Sequence, residues 1–254
     1  METVSLNILS LPGIPLVQPG DNLVQIILDG VQAAGLSLQS GDVLVVTSKI
    51  ISKAEGRLVR LDAVEPGEEA HKLAEEVNKD PRIVELILQE SHAISRQARN
   101  VLVTQHRLGF ISANAGIDQS NVPQSGEYVL LLPLDPDATA RHIREQLRAQ
   151  TGADVGIVVS DSHGRPFRVG TVGVAIGVAG LPAVLDLRGQ PDLFGRELHI
   201  SMQGYGDMIA STAQLVSGEG AEGRPVTLVR GLPYPRSDGT ARDLLRAPEN
   251  DLYR

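Results

Sequence analysis

Apolar residues in this chain fall into two kinds of run. Short unbroken runs at 42–47, 128–132, 155–160 and 226–230 have the length and Val/Leu-rich make-up of β-strands. Other stretches carry a helical period. Over 21–35, Leu23, Ile26, Ile27 and Val31 share one face and Gly35 is a stop. Asp80 followed by Pro81 is the cap-then-proline order that opens a helix. Over 137–151, Ala140, Ile143 and Leu147 make one stripe that stops at Gly152, and over 207–217 Ile209, Ala213 and Val216 do the same. Strands alternating with helices predict an α/β (α+β) fold, although strand order cannot be read from the pattern. Two stretches, 109–122 and 170–187, are rich in Gly and Ala and lack a clear period. Such segments approach a ligand closely or pack backbone against backbone. No repeat, low-complexity tract or long linker divides the chain, so residues 1–254 are read as one domain or two closely packed subdomains.

Composition narrows the function classes. The chain is 42% hydrophobic and 21% charged, as in ordinary soluble proteins, and only 3% aromatic with no Trp. Its core must therefore rest on Val, Leu, Ile and Ala. Zero Cys excludes disulfides, zinc-thiolate sites and thiol catalysis. A net charge of -8 argues against tracking a nucleic-acid backbone and against an anionic membrane surface. No run approaches the ~20 apolar residues of a membrane span, and residues 1–11 lack the pattern of a signal peptide. The expectation is a cytoplasmic α/β protein acting on small molecules.

Four segments carry candidate chemistry. Residues 156–168 run from an apolar strand into Asp161-Ser162, then Gly164, Arg165 and Arg168. A carboxylate beside a hydroxyl suits Mg2+ or Mn2+, and Arg suits phosphate or carboxylate. The same residues also suit an Asx-type turn capped by Asp161. Residues 114–121 crowd Asn114, Asp118, Ser120 and Asn121 around Gly116. Asp118 is a second candidate metal ligand, and Asn114 and Asn121 are candidates for a base or sugar, yet these are also turn-forming residues. After the strand at 42–47, Ser48, Lys49 and Lys53 are candidates for holding phosphate or a plain solvated rim. No Walker-type phosphate loop is present. Finally, Gly218-Glu219-Gly220-Ala221-Glu222-Gly223 satisfies the dinucleotide pattern but follows a predicted helix and precedes a predicted strand. That order is the reverse of the Rossmann context. The charges at Asp186, Arg188, Asp192, Arg196 and Glu197 suit either a buried ion network or an anionic substrate. The six His residues have no metal-ligand spacing, only His163 lies in a candidate segment, and the others are read as mostly exposed.

Taken in collinear order, these segments resemble the F420-0:gamma-glutamyl ligases. The resemblance rests on Gly13-Ile14-Pro15-Leu16, 41–49, 51–57, 114–121, 130–137, 160–168, 173–180, 194–198, Gly218-Glu219-Gly220 and Val229-Arg230-Gly231, nearly the whole chain. It implies an unusual two-subdomain ligase fold, neither Rossmann nor P-loop, working as a homodimer. It also implies GTP- and metal-dependent ligation of L-glutamate to coenzyme F420-0 through an acyl phosphate, giving F420-1 and in some members F420-2. By the same resemblance, Ile14, Pro15, Leu16, Val17, Ser48, Lys49, Lys53, Asn121 and the loop Gly218, Glu219, Gly220, Ala221, Glu222, Gly223, Arg224, Pro225 would contact GTP. Asp118, Asp161 and Ser162 would hold two divalent cations, Mg2+ or Mn2+, with K+ a further candidate, and Asp118, Asp161 and Lys53 would be the catalytic set. In relatives the glycine loop adds a metal contact, from Glu219 or a backbone oxygen here. Ser162 stands where many relatives have Thr. Some relatives continue into a flavin-binding nitroreductase-like domain, which is expected to be absent here. The charged tail, 237–254, is read as a subunit contact or a mobile end. The competing classes are a metal-dependent nucleotide phosphohydrolase on the same acidic pair and a non-catalytic nucleotide or deazaflavin sensor.

Overall fold

The strongest apolar runs form the centre of one mixed sheet in a computed structural model that describes residues 3–123 and 126–251. The chain begins with β1 (Asn7–Ser10), α1 (Leu23–Ala33), β2 (Val43–Thr47), α2 (Ser48–Ala54) and β3 (Leu58–Arg60). It continues through α3 (Glu68–Val77), α4 (Pro81–Gln89), β4 (Ser91–Ala98), β5 (Val101–His106), β6 (Ile111–Ala113) and β7 (Tyr128–Leu130). Then follow α5 (Pro136–Thr151), the long hairpin β8 (Gly156–Arg165) and β9 (Arg168–Ala179), β10 (Val184–Asp186), β11 (Met202–Gly204), α6 (Tyr205–Ser217) and β12 (Val226–Arg230).

The main sheet has the order β1-β12-β2-β8-β9, with β2 and β8 parallel and the other pairs antiparallel. Side chains alternate across it. Leu44, Val46, Ile157, Val159 and Leu228 pack with Ile27, Ile143 and Leu147 of α1 and α5. Val43, Val45, Val158 and Val229 pack with Ile209 and Ala213 of α6. Both faces are covered, which is why the central strands read as unbroken apolar runs rather than as alternating ones. Each such aliphatic side chain contributes roughly 1.5–3 kcal/mol on burial. The four predicted helices, α1, α4, α5 and α6, start within about two residues of where the sequence places them, whereas α2 and α3 are not predicted. Asn22, Asp80 and Asp135 each accept a backbone N–H of the first turn, and Pro81 and Pro136 occupy the first helical positions.

A second body of structure lies between β2 and β8 in sequence. α3 and α4 bury Ala70, Ala74, Val77, Val84 and Ile87 against Leu102 and Ala115, beside the sheet β4-β5-β6. The pair β3-β7 packs Leu61, Val129 and Leu131 against Leu86. None of β4, β5 and β6 is announced by an unbroken apolar run: β4 is mostly exposed, β5 alternates buried with half-buried positions, and β6 is three residues long.

The stretch 170–187, without readable period, contains the long strand β9. Glycine replaces the missing side chains. A Cβ on Gly173 would lie 2.5 Å from the Ala210 carbonyl oxygen of α6, and one on Gly177 would lie 2.4 Å from that of Pro136 in α5. Both helices therefore rest directly on the strand backbone, the close packing expected of this segment. Between these glycines β9 carries one extra residue: Val159 faces Gly177 while Ser160 faces Ala175, leaving Ile176 as a bulge.

Candidate active site

Two consecutive residues at the start of α2 each take a carboxylate from a different part of the chain. Ser48, 2% exposed, donates from Oγ to Asp161 Oδ1 at 2.8 Å. Lys49 forms an ion pair with Asp118 and donates to Ser120 Oγ at 2.7 Å. Lys53 lies one turn along the same helix face and donates to the Asn121 carbonyl at 2.8 Å. Asn121 Nδ2 donates in turn to the Gly220 carbonyl at 3.2 Å, drawing the glycine loop onto the cluster. From the other side, Ser162 Oγ donates to Glu219 Oε1 at 2.5 Å and accepts from Gln214 Nε2 of α6 at 3.1 Å. Asp118, Asp161, Ser162, Lys49, Lys53, Asn121 and the glycine loop thus meet at one place.

Local structure explains how each arrives. Asp118 exchanges both backbone hydrogen bonds with Leu130 (2.9 and 2.8 Å), which ties its loop to the end of β7. Ser120 N–H donates to Asp118 Oδ1 at 2.7 Å and fixes the carboxylate plane. Asn121 has φ 53°, a conformation Asn tolerates better than most residues. Asp161 sits just past the β9 bulge, on a strand rather than in the loop that its sequence suggests: β8 continues through Ser162 and His163 as the hairpin arm. His163 Nε2 lies 3.0 Å from Asp161 Oδ2, and its ring packs against Phe110 with centroids 5.1 Å apart. Residues 48–54, expected as a rim after the strand, form α2.

The charges perturb one another. Burial pushes the Asp118 carboxyl up, but the bonds from Lys49 and Ser120 outweigh it and hold it below the usual range. Lys53 is lowered by burial first and by the neighbouring Lys49 second, with Asp118 opposing. Among the described residues no three His, Asp or Glu side chains form a ready metal cage. The donors present are nevertheless the hard oxygens that Mg2+ and Mn2+ prefer, and Mg2+ sites commonly use one or two carboxylates completed by substrate phosphates and water. Asp118, Asp161, Ser162 and Glu219 fit that incomplete kind of site.

Residues 13–231 match the family described as F420-0:Gamma-glutamyl ligase. The chain belongs to this family. It is 46% identical over 242 residues to the coenzyme F420:L-glutamate ligase of Methanopyrus kandleri, covering 94% of this chain and 93% of that one. It is 41% identical over 253 residues to the enzyme of that name from Methanothermobacter thermautotrophicus (99% and 100% covered), and 40% identical over 242 residues to that from Archaeoglobus fulgidus (95% and 94%). Membership makes the chain an enzyme of the ligase class. The fold agrees: the glycine pattern 218–223 lies between α6 and β12, so the Rossmann match is false, as its context predicts. No described helix is long and apolar enough to cross a membrane.

Some candidates stand elsewhere. Ile14 and Val17 pack into the core beneath α1, so only Pro15, the exposed Leu16 and the backbone of this segment face outward. The segment reaches α2 at its far end, through Gly20 N–H to the Ala54 carbonyl at 2.9 Å. Asn114 holds the backbone: its Oδ1 accepts the Leu102 N–H at 3.1 Å. Arg165 and Arg168 face each other at the hairpin tip, and Arg165 donates to the Val169 carbonyl at 3.2 Å, so neither joins the cluster. Residues 186–197 are largely exposed, with Asp186 paired to Arg188 in solvent, which rules out a buried network there. The tail is held to its own chain at Ala241, which is buried and donates its N–H to Asp137 Oδ1 at 2.9 Å, while residues 245–250 are exposed; its last three residues lie outside the described ones.

Two features were hidden. Gln214 shows no local signal, because only the approach of α6 at Gly173 carries it to Ser162. His106, expected at the surface with most histidines, is fully buried. It lies 3.5 Å from Glu90, which Arg57 Nη2 meets ionically at 2.7 Å and Arg107 Nε by a hydrogen bond at 2.9 Å. Burial alone would raise Glu90, but His106, Arg57 and Arg107 bring it down to about 2.

Proposed function

We propose that this chain ligates L-glutamate to the lactyl carboxylate of coenzyme F420-0, giving F420-1. The observation that carries the reading is the joint hold of Ser48 and Lys49 on Asp161 and Asp118, beside the glycine loop, within a chain of this family. In this reading GTP is the activating co-substrate. The carboxylate oxygen of the precursor attacks the γ-phosphorus and GDP leaves. The amine of glutamate then attacks the acyl carbon, losing a proton as inorganic phosphate departs.

Lys49 and Lys53 meet the phosphates; Lys49 gives up Asp118 on its flexible stem as it does so. Asn121, Pro15, Leu16 and the backbones of Ile14, Val17 and the Gly218 to Pro225 loop wrap the nucleotide. Asp118, Asp161 and Ser162, with Glu219 from the loop, hold two divalent cations, Mg2+ or Mn2+. When bound, such ions neutralise phosphate charge and align the in-line transfer. The protein otherwise positions its substrates and excludes water from an intermediate that hydrolyses readily. The reading includes a cytoplasmic homodimer in which the whole chain is one ligase domain of two intertwined subdomains.

Mass spectrometry of the product from precursor, GTP, Mn2+ and L-glutamate tests it. The expected result is a precursor heavier by one glutamyl unit, with GDP released only when precursor and glutamate are both present. GDP release indifferent to glutamate would make the chain a phosphohydrolase. GTP binding without turnover would make it a sensor.

A further inference from the structure

His163, which meets Asp161 on one side, also lines an adjoining cavity of about 160 Å3. Phe110, Asp137, Asp207, Arg242 and Leu244 complete the part of its wall that matters here. Its acids come from the first turns of α5 and α6, which converge on the bulge of β9. Asp207 Oδ1 accepts the Ala175 N–H at 2.8 Å, and Asp137 Oδ1 accepts those of Val178 at 2.8 Å and Ala241 at 2.9 Å. These bonds satisfy two amides of β9, the edge strand of its sheet, and one from the turn at Ala241. They use one oxygen of each carboxylate. The Oδ2 atoms have no hydrogen bond, and neither acid has an ion pair, among the described residues. Burial is the largest influence on both carboxyls and raises them, while the backbone N–H bonds and, more weakly, Arg141 near Asp137 and His163 near Asp207 oppose it. Arg242, exposed at the mouth, is likewise without an ion pair among the described residues.

We propose that this cavity is the L-glutamate subsite, with the ammonium group between the free oxygens of Asp137 and Asp207 and a carboxylate on Arg242. The proposal rests on the ligase reading above. Of the three substrates in that reading, only glutamate carries a positive charge. GTP and the phosphate- and carboxylate-bearing precursor would each be repelled by two acids in a confined, partly dehydrated space. Size points the same way, because pockets for larger ligands run to roughly 300–1,000 Å3. Position completes the case: His163 lines the cavity and lies 3.0 Å from Asp161, so an amine held there is close to the acidic cluster. The wider cleft of about 660 Å3 that shares Phe110, Leu244 and Leu245 with this cavity gives it an approach from solvent.

The test uses Asp207→Asn, whose amide oxygen still accepts from Ala175 while the second position becomes a donor that rejects ammonium. Arg242→Gln, at an exposed position, is the second variant and decides the matter if the first fails to fold. We expect KM for L-glutamate to rise at least about tenfold in each, the scale of one lost charge-assisted bond, with KM for GTP and precursor unchanged. In parallel, L-glutamate should raise the melting temperature of the unaltered protein, and the shift should vanish in the variants. Product formation with an unchanged glutamate KM in both variants overturns the subsite and leaves the ligase reading standing. Absence of any product from the unaltered protein overturns the ligase reading, and the thermal shift then decides the subsite alone: a shift lost in the variants supports it, and no shift or an unchanged one ends it.

Discussion

Replacing Gly173 by alanine adds one methyl group and should damage both the fold and the site. The new Cβ would stand 2.5 Å from the Ala210 carbonyl oxygen and 2.7 Å from its carbon, both backbone atoms of α6 with no side-chain rotamer to yield. Carbon and oxygen are comfortable near 3.4 Å, so α6 must move off β9 by about 1 Å or the clash must be borne. Overpacking of this kind costs about 1–3 kcal/mol. For a chain of this size that is a fall in melting temperature of about 2–12 °C. The functional effect follows from what α6 carries. Its Gln214 meets Ser162 and its Asp207 meets Ala175, so a shifted helix misplaces the hydroxyl facing Glu219 and the acid facing the cavity. A displacement of 1 Å costs about 100-fold in rate in a positioned site. Differential scanning fluorimetry and a GDP-release assay on Gly173→Ala measure the two effects. Gly164→Ala in the same hairpin, where a Cβ meets nothing within 4 Å, is the control and should behave as the unaltered protein. A Gly173→Ala protein with unchanged melting temperature and turnover would refute the claim that α6 is seated on the strand backbone.

Three further outcomes are expected. Asp161→Asn should fold normally, keeping a carbonyl for Ser48, yet lose at least about 100-fold in GDP release; turnover near the unaltered level would remove Asp161 from the mechanism. Lys53→Ala should weaken GTP binding by about tenfold in calorimetry. Because burial and Lys49 lower the Lys53 ammonium, GTP affinity of the unaltered protein should also decline at a pH below the usual lysine range, a decline absent in the variant. Glu90, lowered from 4.5 to about 2, contributes stability that is fully present above pH 4.5 and lost as pH falls towards 2. That shift corresponds to about 3 kcal/mol, so acid unfolding monitored by circular dichroism should lose its steepest part in Glu90→Gln, and an identical acid transition would rule the cluster out as its cause.

Legibility followed the length scale of the interaction. The start at Asp80-Pro81 is readable because its cause is local, a cap followed by proline, and the caps Asn22 and Asp135 act within three residues of the other helix starts. The central strands are readable because burial on both faces makes most of their positions Val, Leu or Ile. β9 is not, since two of its inward positions are glycines whose partners are the backbones of α5 and α6. Lys49 and Lys53 were named as a pair, but seven residues of helix after a strand leave too short a pattern to separate a helix face from a rim. Asp118 and Asp161 were identified by chemistry and resemblance, whereas the agent that joins them, the Ser48–Lys49 pair, emerges only from tertiary structure. The Glu90 cluster gathers residues 57, 90 and the neighbouring pair 106 and 107 from three separate stretches of the chain, and no spacing in the sequence marks it.

The geometry of the acids depends on segments that look like ordinary core. Thr47 is paired with Ser160 in the parallel ladder of β2 and β8, so Ser48, where β2 gives way to α2, and Asp161, the next residue of β8, stand side by side. A slip of one residue in that ladder would turn Asp161 to the opposite face and carry it away from Ser48. The slip is opposed by the alternation of Leu44 and Val46 towards α1 and α5 with Val43 and Val45 towards α6, matched in β8 by Ile157 and Val159 against Val158. Moving either strand by one position would place all of these side chains in the wrong layer. The pairing of a hydroxyl with a carboxylate at 2.8 Å is therefore enforced by several kcal/mol of apolar burial some distance away, and a polar substitution at Val45 or Val158 should disturb Asp161 without touching it.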